Sequence, residues 1–218
     1  MFAESAFRGC SSLFDIIIPD SVTSIGNEAF LFCNSLHSLV IPDCVAGIVD
    51  RVFTYSSLSS LVIRATGASI GDWAFDGCSS LNSLVIPDSV TRIGDSAFRG
   101  CTSLSSLVIH DSVSIGFVPF RGCESLTDII IHASSSGVAN SVFKGCFFLS
   151  YIGHHVNIVL PDGITSIGDG AFSDCESLTD IVIPNSVTSI GDHAFANCSL
   201  PYDLKQELSS RFGVKIFR

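Results

Sequence analysis

The feature that most limits what this chain can become is a short motif, phenylalanine–two residues–cysteine, that returns at a nearly fixed interval. It stands at Phe7–Cys10, Phe30–Cys33, Phe75–Cys78, Phe98–Cys101, Phe120–Cys123, Phe143–Cys146, Phe172–Cys175 and Phe195–Cys198. A degenerate copy sits at Phe53, where Tyr55 and Ser56 replace the Gly-Cys pair. Successive phenylalanines are 23, 23, 22, 23, 22, 23, 29 and 23 residues apart. A period this short, held from end to end, is the signature of stacked structural units and leaves no room for an independent second domain.

The best-kept unit runs from Cys78 to Phe98. Leu84-Val85-Ile86 is predicted as a short strand, with Leu84 and Ile86 inward and Val85 outward. Pro87 ends it, because proline has no N–H for a further ladder bond. Asp88 and Ser89 suit a turn. Val90 and Ile93 return to the core, Gly94 permits a tight bend, and Asp95 is expected to cap a single helical turn that carries Ala97 and Phe98 inward. One such unit cannot bury its own apolar side, whereas a stack of copies builds a continuous core. With parallel strands about 4.8 Å apart, about nine rungs would make a solenoid roughly 40 Å long.

The ends differ. Leu204, Leu208 and Phe212 recur at helical spacing between Pro201 and Gly213, which reads as an amphipathic helix over the last rung. A terminal strand at Val214–Phe217 is expected to follow it. The division is therefore a solenoid at residues 1–198 and a C-terminal cap at 199–218. The first rung shows no matching lid and is expected to leave an open core edge.

The recurring pattern Leu-x-x-Leu-x-Ile-Pro-x-Ser-Val-x-x-Ile-Gly-x-x-Ala-Phe-x-x-Cys resembles the BspA-like class of leucine-rich repeats, over nearly all of residues 3–198. The resemblance implies a leucine-rich-repeat solenoid with a parallel sheet on its concave face. The single helical turns read from each unit then fall on the convex side. It also implies a surface, adhesion or protein-binding role, with no catalytic motif to carry over.

Composition narrows the partners. The chain is 47% hydrophobic and 15% charged, with a net charge of −10. That balance disfavours nucleic acid, whose binders cluster Lys and Arg. It disfavours anionic lipid as well. The apolar runs are too short to span a bilayer, and no basic-then-apolar leader opens the sequence. On that basis an intracellular chain is slightly favoured over a cell-surface one. No phosphate loop, nucleophile elbow or metalloprotease motif is present, so neither an enzyme nor a cofactor is expected.

Several columns are candidates for chemistry. All cysteines except Cys44 share one slot. They read either as a ladder of free, packed thiols or as neighbouring pairs, Cys10–Cys33, Cys78–Cys101, Cys123–Cys146 and Cys175–Cys198. Asp20, Asp43, Asp88, Asp111 and Asp162 follow the strand proline, while Asp72, Asp95, Asp169 and Asp192 follow the glycine bend. Turn and cap duty explains these, with calcium as the alternative. His110 and His132 occupy the proline slot of adjacent strands, with His154 and His155 in the next rung. They are the candidates for zinc or a pH sensor, and otherwise are solvated strand-end residues.

The repeat breaks three times. One residue is missing before Leu58 and another before Phe120, where Gly116-Phe117-Val118-Pro119-Phe120 replaces the usual segment. About six residues, Gly153 to Ile158, are inserted before the Phe172 rung. That insertion reads as a specificity loop or a tolerated surface addition.

The strongest functional signal is the outward strand slot, which reads Ile17, Val40, Val62, Val85, Val108, Ile130, Val159 and Val182. A water-exposed sheet face normally alternates to polar residues here. A continuous apolar ridge implies a docking surface. Branched-residue preference for strands is the competing explanation. The expected function is a non-catalytic scaffold that docks a protein partner, or a second copy of itself, on its concave face. The alternatives are a cell-surface adhesion module for glycan or matrix and a structural subunit of a larger complex.

Overall fold

Parallel pairing between equivalent residues of successive repeats organises the chain. A computed structural model describes residues 1–64, 69–109, 113–126, 128–131, 143, 157–176 and 178–218, and only the backbone of Ser83, Ile129, Ile131, Asn157 and Val159. The strands are β1 (Ser38–Ile41), β2 (Ser60–Ile63), β3 (Ser69–Ile70), β4 (Ser83–Leu84), β5 (Arg92–Ile93) and β6 (Ser106–Ile109), then β7 (Ser114–Ile115), β8 (Asp128–Ile131), β9 (Asn157–Val159), β10 (Ser166–Ile167) and β11 (Ser189–Ile190). Helix α1 (Tyr202–Phe212) and a 3-10 turn (Val214–Phe217) close the sequence.

The main sheet runs β1-β2-β4-β6-β8-β9. Its register is one repeat per strand, with Val40 beside Val62 and Val108 beside Ile130. Leu39, Ile41, Leu61, Ile63, Leu107 and Ile109 are buried, as the two-residue alternation requires. The expected strand at Leu84-Val85-Ile86 is shorter in the structure, because β4 ends at Leu84. In the preceding repeat the Arg64 N–H donates to the Ile41 carbonyl at 2.9 Å. Pro87 holds the corresponding place and has no N–H to offer Ile63. Val85 and Ile86 nevertheless keep the alternation, one exposed and the other buried. Part of the expected insertion also belongs to the sheet, since Asn157 and Ile158 in β9 pair with Asp128 and Ile129.

Each proline turn closes on itself. The N–H groups of Val22, Val45 and Val90 reach the carbonyls of Pro19, Pro42 and Pro87 at 2.9, 3.1 and 2.9 Å. The chain then forms a second parallel ladder, β3-β5-β7, with β10-β11 as its counterpart further along. Ile70, Ile93 and Ile167 point from these ladders into the core. Such two-residue strands have no period to detect, and the sequence shows only their inward isoleucines.

The segment from the glycine bend to the cysteine, here termed the arc, departs from expectation. Among the described residues it contains no helical turn. Its N–H groups instead alternate between two destinations. Ala29, Leu31 and Cys33 donate to the carbonyl three residues back, at 3.3, 3.1 and 3.2 Å. Phe30 and Phe32 donate to the next repeat, at Val52 and Thr54, at 2.9 and 3.1 Å. Left-handed residues make this possible, such as Trp73 at φ 53° and Gly77 at φ 71°. Nor does Asp95 cap a helix. Its carboxylate accepts the Phe117 N–H of the next repeat at 2.8 Å, as Asp72 accepts that of Asp95 at 2.9 Å. This explains the Gly-Asp pairing, because a side chain on Gly94 would run into Asp72.

Inside the arc, Phe7, Phe30, Phe53, Phe75, Phe98 and Phe120 form a column of near-parallel rings with centroids 5.1–5.5 Å apart. Phe143, Phe172 and Phe195 continue it at 6.0, 5.3 and 5.4 Å. Phe2 stands edge-on to Phe7, and Phe217 tilts against Phe195 at 6.3 Å.

The C-terminal helix has the expected bounds, between Pro201 and Gly213, with Leu208 buried. The expected final strand is instead the 3-10 turn, and the arc supplies the reason. The His193 and Phe195 N–H groups donate to the carbonyls of Lys215 and Ile216 at 2.9 and 2.8 Å. The last segment thus matches an arc edge rather than a sheet edge.

Candidate docking surface

The outward slot of the main sheet is open to solvent along most of its length. Ile17 is 85% exposed, Val85 and Val182 74%, and Val40, Val62 and Ile130 between 40% and 46%. Two placements differ from the reading of eight equivalent strand residues. Ile17, Val85 and Val182 lie outside the ladder, and Val108 is half-buried. Val159 pairs through its backbone with Ile130, and its side chain lies outside the described ones.

The ridge has acidic margins. Asp15, Asp128 and Asp180 occupy the column that Ser38 and Ser60 hold in other repeats, two residues before the ridge and on the same face. A depression of about 320 Å³ opens over the first repeats, lined by Asp15, Ile17, Asp20, Val40, Val62 and Arg64. Asp43 and Arg64 adjoin it.

The cysteine slot is a packed interior column. The thiols of Cys33, Cys78, Cys101, Cys123, Cys175 and Cys198 each donate to the carbonyl of the preceding repeat's phenylalanine, at 3.0–3.2 Å. These six are buried free thiols, whereas Cys10 is exposed and Cys44 half-buried. Burial pushes Cys33 up to about 11 and Cys78 and Cys123 to about 12, and raises Cys101 and Cys198 as well. Thiols held protonated in this way resist oxidation and alkylation. Counting thiols in denaturant without reductant should therefore return close to the full 9 per chain. A count near one would require the paired arrangement.

The other candidate sites are the aspartate columns and the histidine set. In the Asp column after the glycine bend, Asp72, Asp95 and Asp169 accept backbone N–H groups of the next repeat. Among the described residues no group of three His, Cys, Asp or Glu gathers to hold a metal ion. His110, His132, His154 and His155 lie outside the described residues, as do Asp111 and Cys146.

The structure adds a surface that the sequence reading passed over. Two residues after the core phenylalanine, most described repeats place Gly, Asp or Asn in the left-handed region. Phe32 and Tyr55 hold that slot in adjacent repeats, at φ 60° and 53°. Bulky residues are unusual there. Their rings stack 5.6 Å apart while remaining 43% and 48% exposed. Nearby, the Arg51 guanidinium lies 4.7 Å over Trp73. Asp76 is buried beside them, its carboxyl pushed up by burial and pulled back by Arg99 and Arg51. The signal was visible as aromatic residues interrupting a glycine column.

Comparison with known proteins agrees with the repeat architecture. The family model described as "BspA type Leucine rich repeat region (6 copies)" matches residues 1–116, 46–156 and 153–217. Among solved structures, a leucine-rich-repeat protein of T. pallidum is 27% identical with a TM-score of 0.56. That alignment covers 87% of this chain and 76% of the other. A leucine-rich cell surface protein of Faecalibacterium prausnitzii is 24% identical over 91% of this chain and 74% of its own, with a TM-score of 0.45. No curated protein matches.

Proposed function

We propose that this chain, which belongs to the BspA-type leucine-rich-repeat family, is a non-catalytic docking module that holds a protein partner on the outer face of its main sheet. The family suggests a protein-binding or surface-adhesion module. One observation supports assigning the contact to this face. Exposed Ile and Val side chains recur in the same outward slot of several repeats, at Val40, Val62, Val85 and Ile130, with half-buried Val108 between the last two. Isolated exposed apolar residues need no explanation, but a contiguous row of this length marks an interaction surface. In this reading residues 1–198 form the docking solenoid and residues 199–218 serve as its cap.

The test replaces Val62 and Val85 with Lys. Both side chains point to solvent, so the cost is the lost strand preference, about 1 kcal/mol or less at each. The double variant should keep a cooperative melt and lose most of the partner captured from native extract by the parent. Equal capture by parent and variant, at matched thermal stability, rules the ridge out.

A further inference from the structure

The main sheet carries one sign of charge on both sides of its apolar row. Asp15, Asp128 and Asp180 are exposed on one margin, two residues before the row. Asp20, Asp43, Asp88 and Asp162 are exposed on the other, each immediately after a proline. Among the described residues Arg64 is the sole lysine or arginine on this face, and it lines the depression over the first repeats together with Asp15 and Asp20. The arc, by contrast, mixes both signs. Its Arg8 pairs with Glu28, and its Arg51 and Arg99 stand beside Asp76. Lys205, Arg211, Lys215 and Arg218 belong to the C-terminal cap.

The spacing of these columns sets the shape of what fits. From Asp15 to Asp20 the chain advances 5 residues, which is at most about 16 Å along a strand. An α-helix with its side chains is about 10–12 Å across, so one laid over the row, across the strands, fits between the margins. Along the row, successive repeats lie about 4.8 Å apart. That is close to the roughly 5.4 Å rise of one helical turn. A helix therefore sets one apolar side chain per turn over successive ridge residues, with its flanks over the carboxylates. An extended segment repeats its same-face side chains every ~6.7 Å and falls a full repeat out of step after about three of them.

We propose that the occupant of the sheet face is a basic amphipathic helix of a protein partner. Its apolar stripe lies on Val40, Val62 and Val85, and its Lys and Arg flanks lie over the acidic margins. This rests on the sheet face being the docking surface and names what that surface holds. A helix with acidic flanks would set like charges against each other on both margins, which costs affinity. Recognition of this kind reads apolar anchors at i, i+3 or i+4, and i+7 of the helix.

Three synthetic peptides of about 18 residues test it, each reaching about 27 Å as a helix. All share one leucine stripe. The first flanks the stripe with lysine, the second with glutamate, and the third is the lysine peptide with a central proline that breaks the helix. By fluorescence anisotropy at about 0.05 M NaCl the lysine peptide should bind about tenfold or more tightly than either of the others, and its advantage over glutamate should shrink at about 0.5 M. Asp20→Asn with Asp43→Asn keeps the turn chemistry and should loosen the lysine peptide about fivefold. Glu4→Gln with Asp192→Asn removes the same charge away from the sheet and should change binding by less than about twofold. Circular dichroism melts matching the parent establish that the variants are folded. A glutamate or proline peptide that binds as tightly as the lysine peptide overturns the proposal, as does equal loosening by the two charge variants. If the lysine peptide fails to bind while Val62→Lys with Val85→Lys still abolishes capture of the native partner, the basic helix is overturned and the docking face stands. If that ridge variant keeps its native partner, the docking face itself is overturned.

Discussion

A chain lacking residues 199–218 is expected to lose cooperative unfolding and to aggregate at concentrations where the full chain stays dispersed. The removed segment buries Leu208 and Ile216 completely and sets Phe217 against the end of the phenylalanine column. Two fully buried apolar side chains are worth about 3–6 kcal/mol. The arc N–H groups of His193 and Phe195 would lose the Lys215 and Ile216 carbonyls, adding about 1 kcal/mol each. The Cys198 carbonyl would also lose the Lys205 ammonium, now 3.2 Å away. A total of about 5–8 kcal/mol rivals the whole stability of an ordinary domain. In a stack each repeat leans on its neighbour, so the damage spreads from the uncovered end. Leu208→Asp is the milder version, placing an unpaired charge in the same seam. Should the truncated chain show the parent's midpoint and transition width, the cap assignment fails.

Gly94→Ala is expected to destabilise the chain by about 2–4 kcal/mol, although the change adds a single methyl group. The new Cβ would lie 2.6 Å from the backbone nitrogen of Asp72 and would crowd the Asp72 carboxylate. That carboxylate accepts the Asp95 N–H and pairs with Arg92 at 3.0 Å, so both contacts shift with it. For a chain of this length the melting temperature should fall by roughly 6–12 °C. Gly47→Ala is the control: the nearest atom to its new Cβ is the Ser69 carbonyl oxygen at 3.2 Å. Its expected cost is below about 1 kcal/mol. Equal melting temperatures for the two variants would show that the close approach at Gly94 carries no weight.

The inward residues were legible before any coordinates, because burial repeats with the motif. Leu84, Ile86, Val90, Ile93 and Phe98 are all buried. The turn at Pro87 and the bounds of the helix from Tyr202 to Phe212 were legible as well, since proline, glycine and helical spacing act locally. The arc was not, because its conformation is fixed by hydrogen bonds to the next repeat some 22 or 23 residues away. A short Asp-x-Ala-Phe segment read alone looks like a helix start. The same blindness turned the final 3-10 segment into an expected strand. The ridge was visible as a column, but its uneven exposure, with Val108 half-buried, depends on how neighbouring repeats pack. The aromatic arc was missed because Phe32 and Tyr55 looked like deviations from the motif rather than a pair.

The one-way donation in the arc gives the stack a head and a tail. Ser5, Phe7 and Gly9 donate to the following repeat, as do Trp73, Phe75 and Gly77 further along. Among the described repeats these arc main-chain bonds share one polarity, with N–H donors on the earlier side and carbonyl acceptors on the later. An internal unit is interchangeable with any other, so gene segments of one period can be duplicated or deleted without leaving an unmatched seam. The terminal pieces are not interchangeable. Whatever follows the last repeat must bring carbonyls, as Lys215 and Ile216 do, and whatever abuts the first must bring N–H groups. Copy number is free to drift in such a chain while its two ends stay chemically distinct.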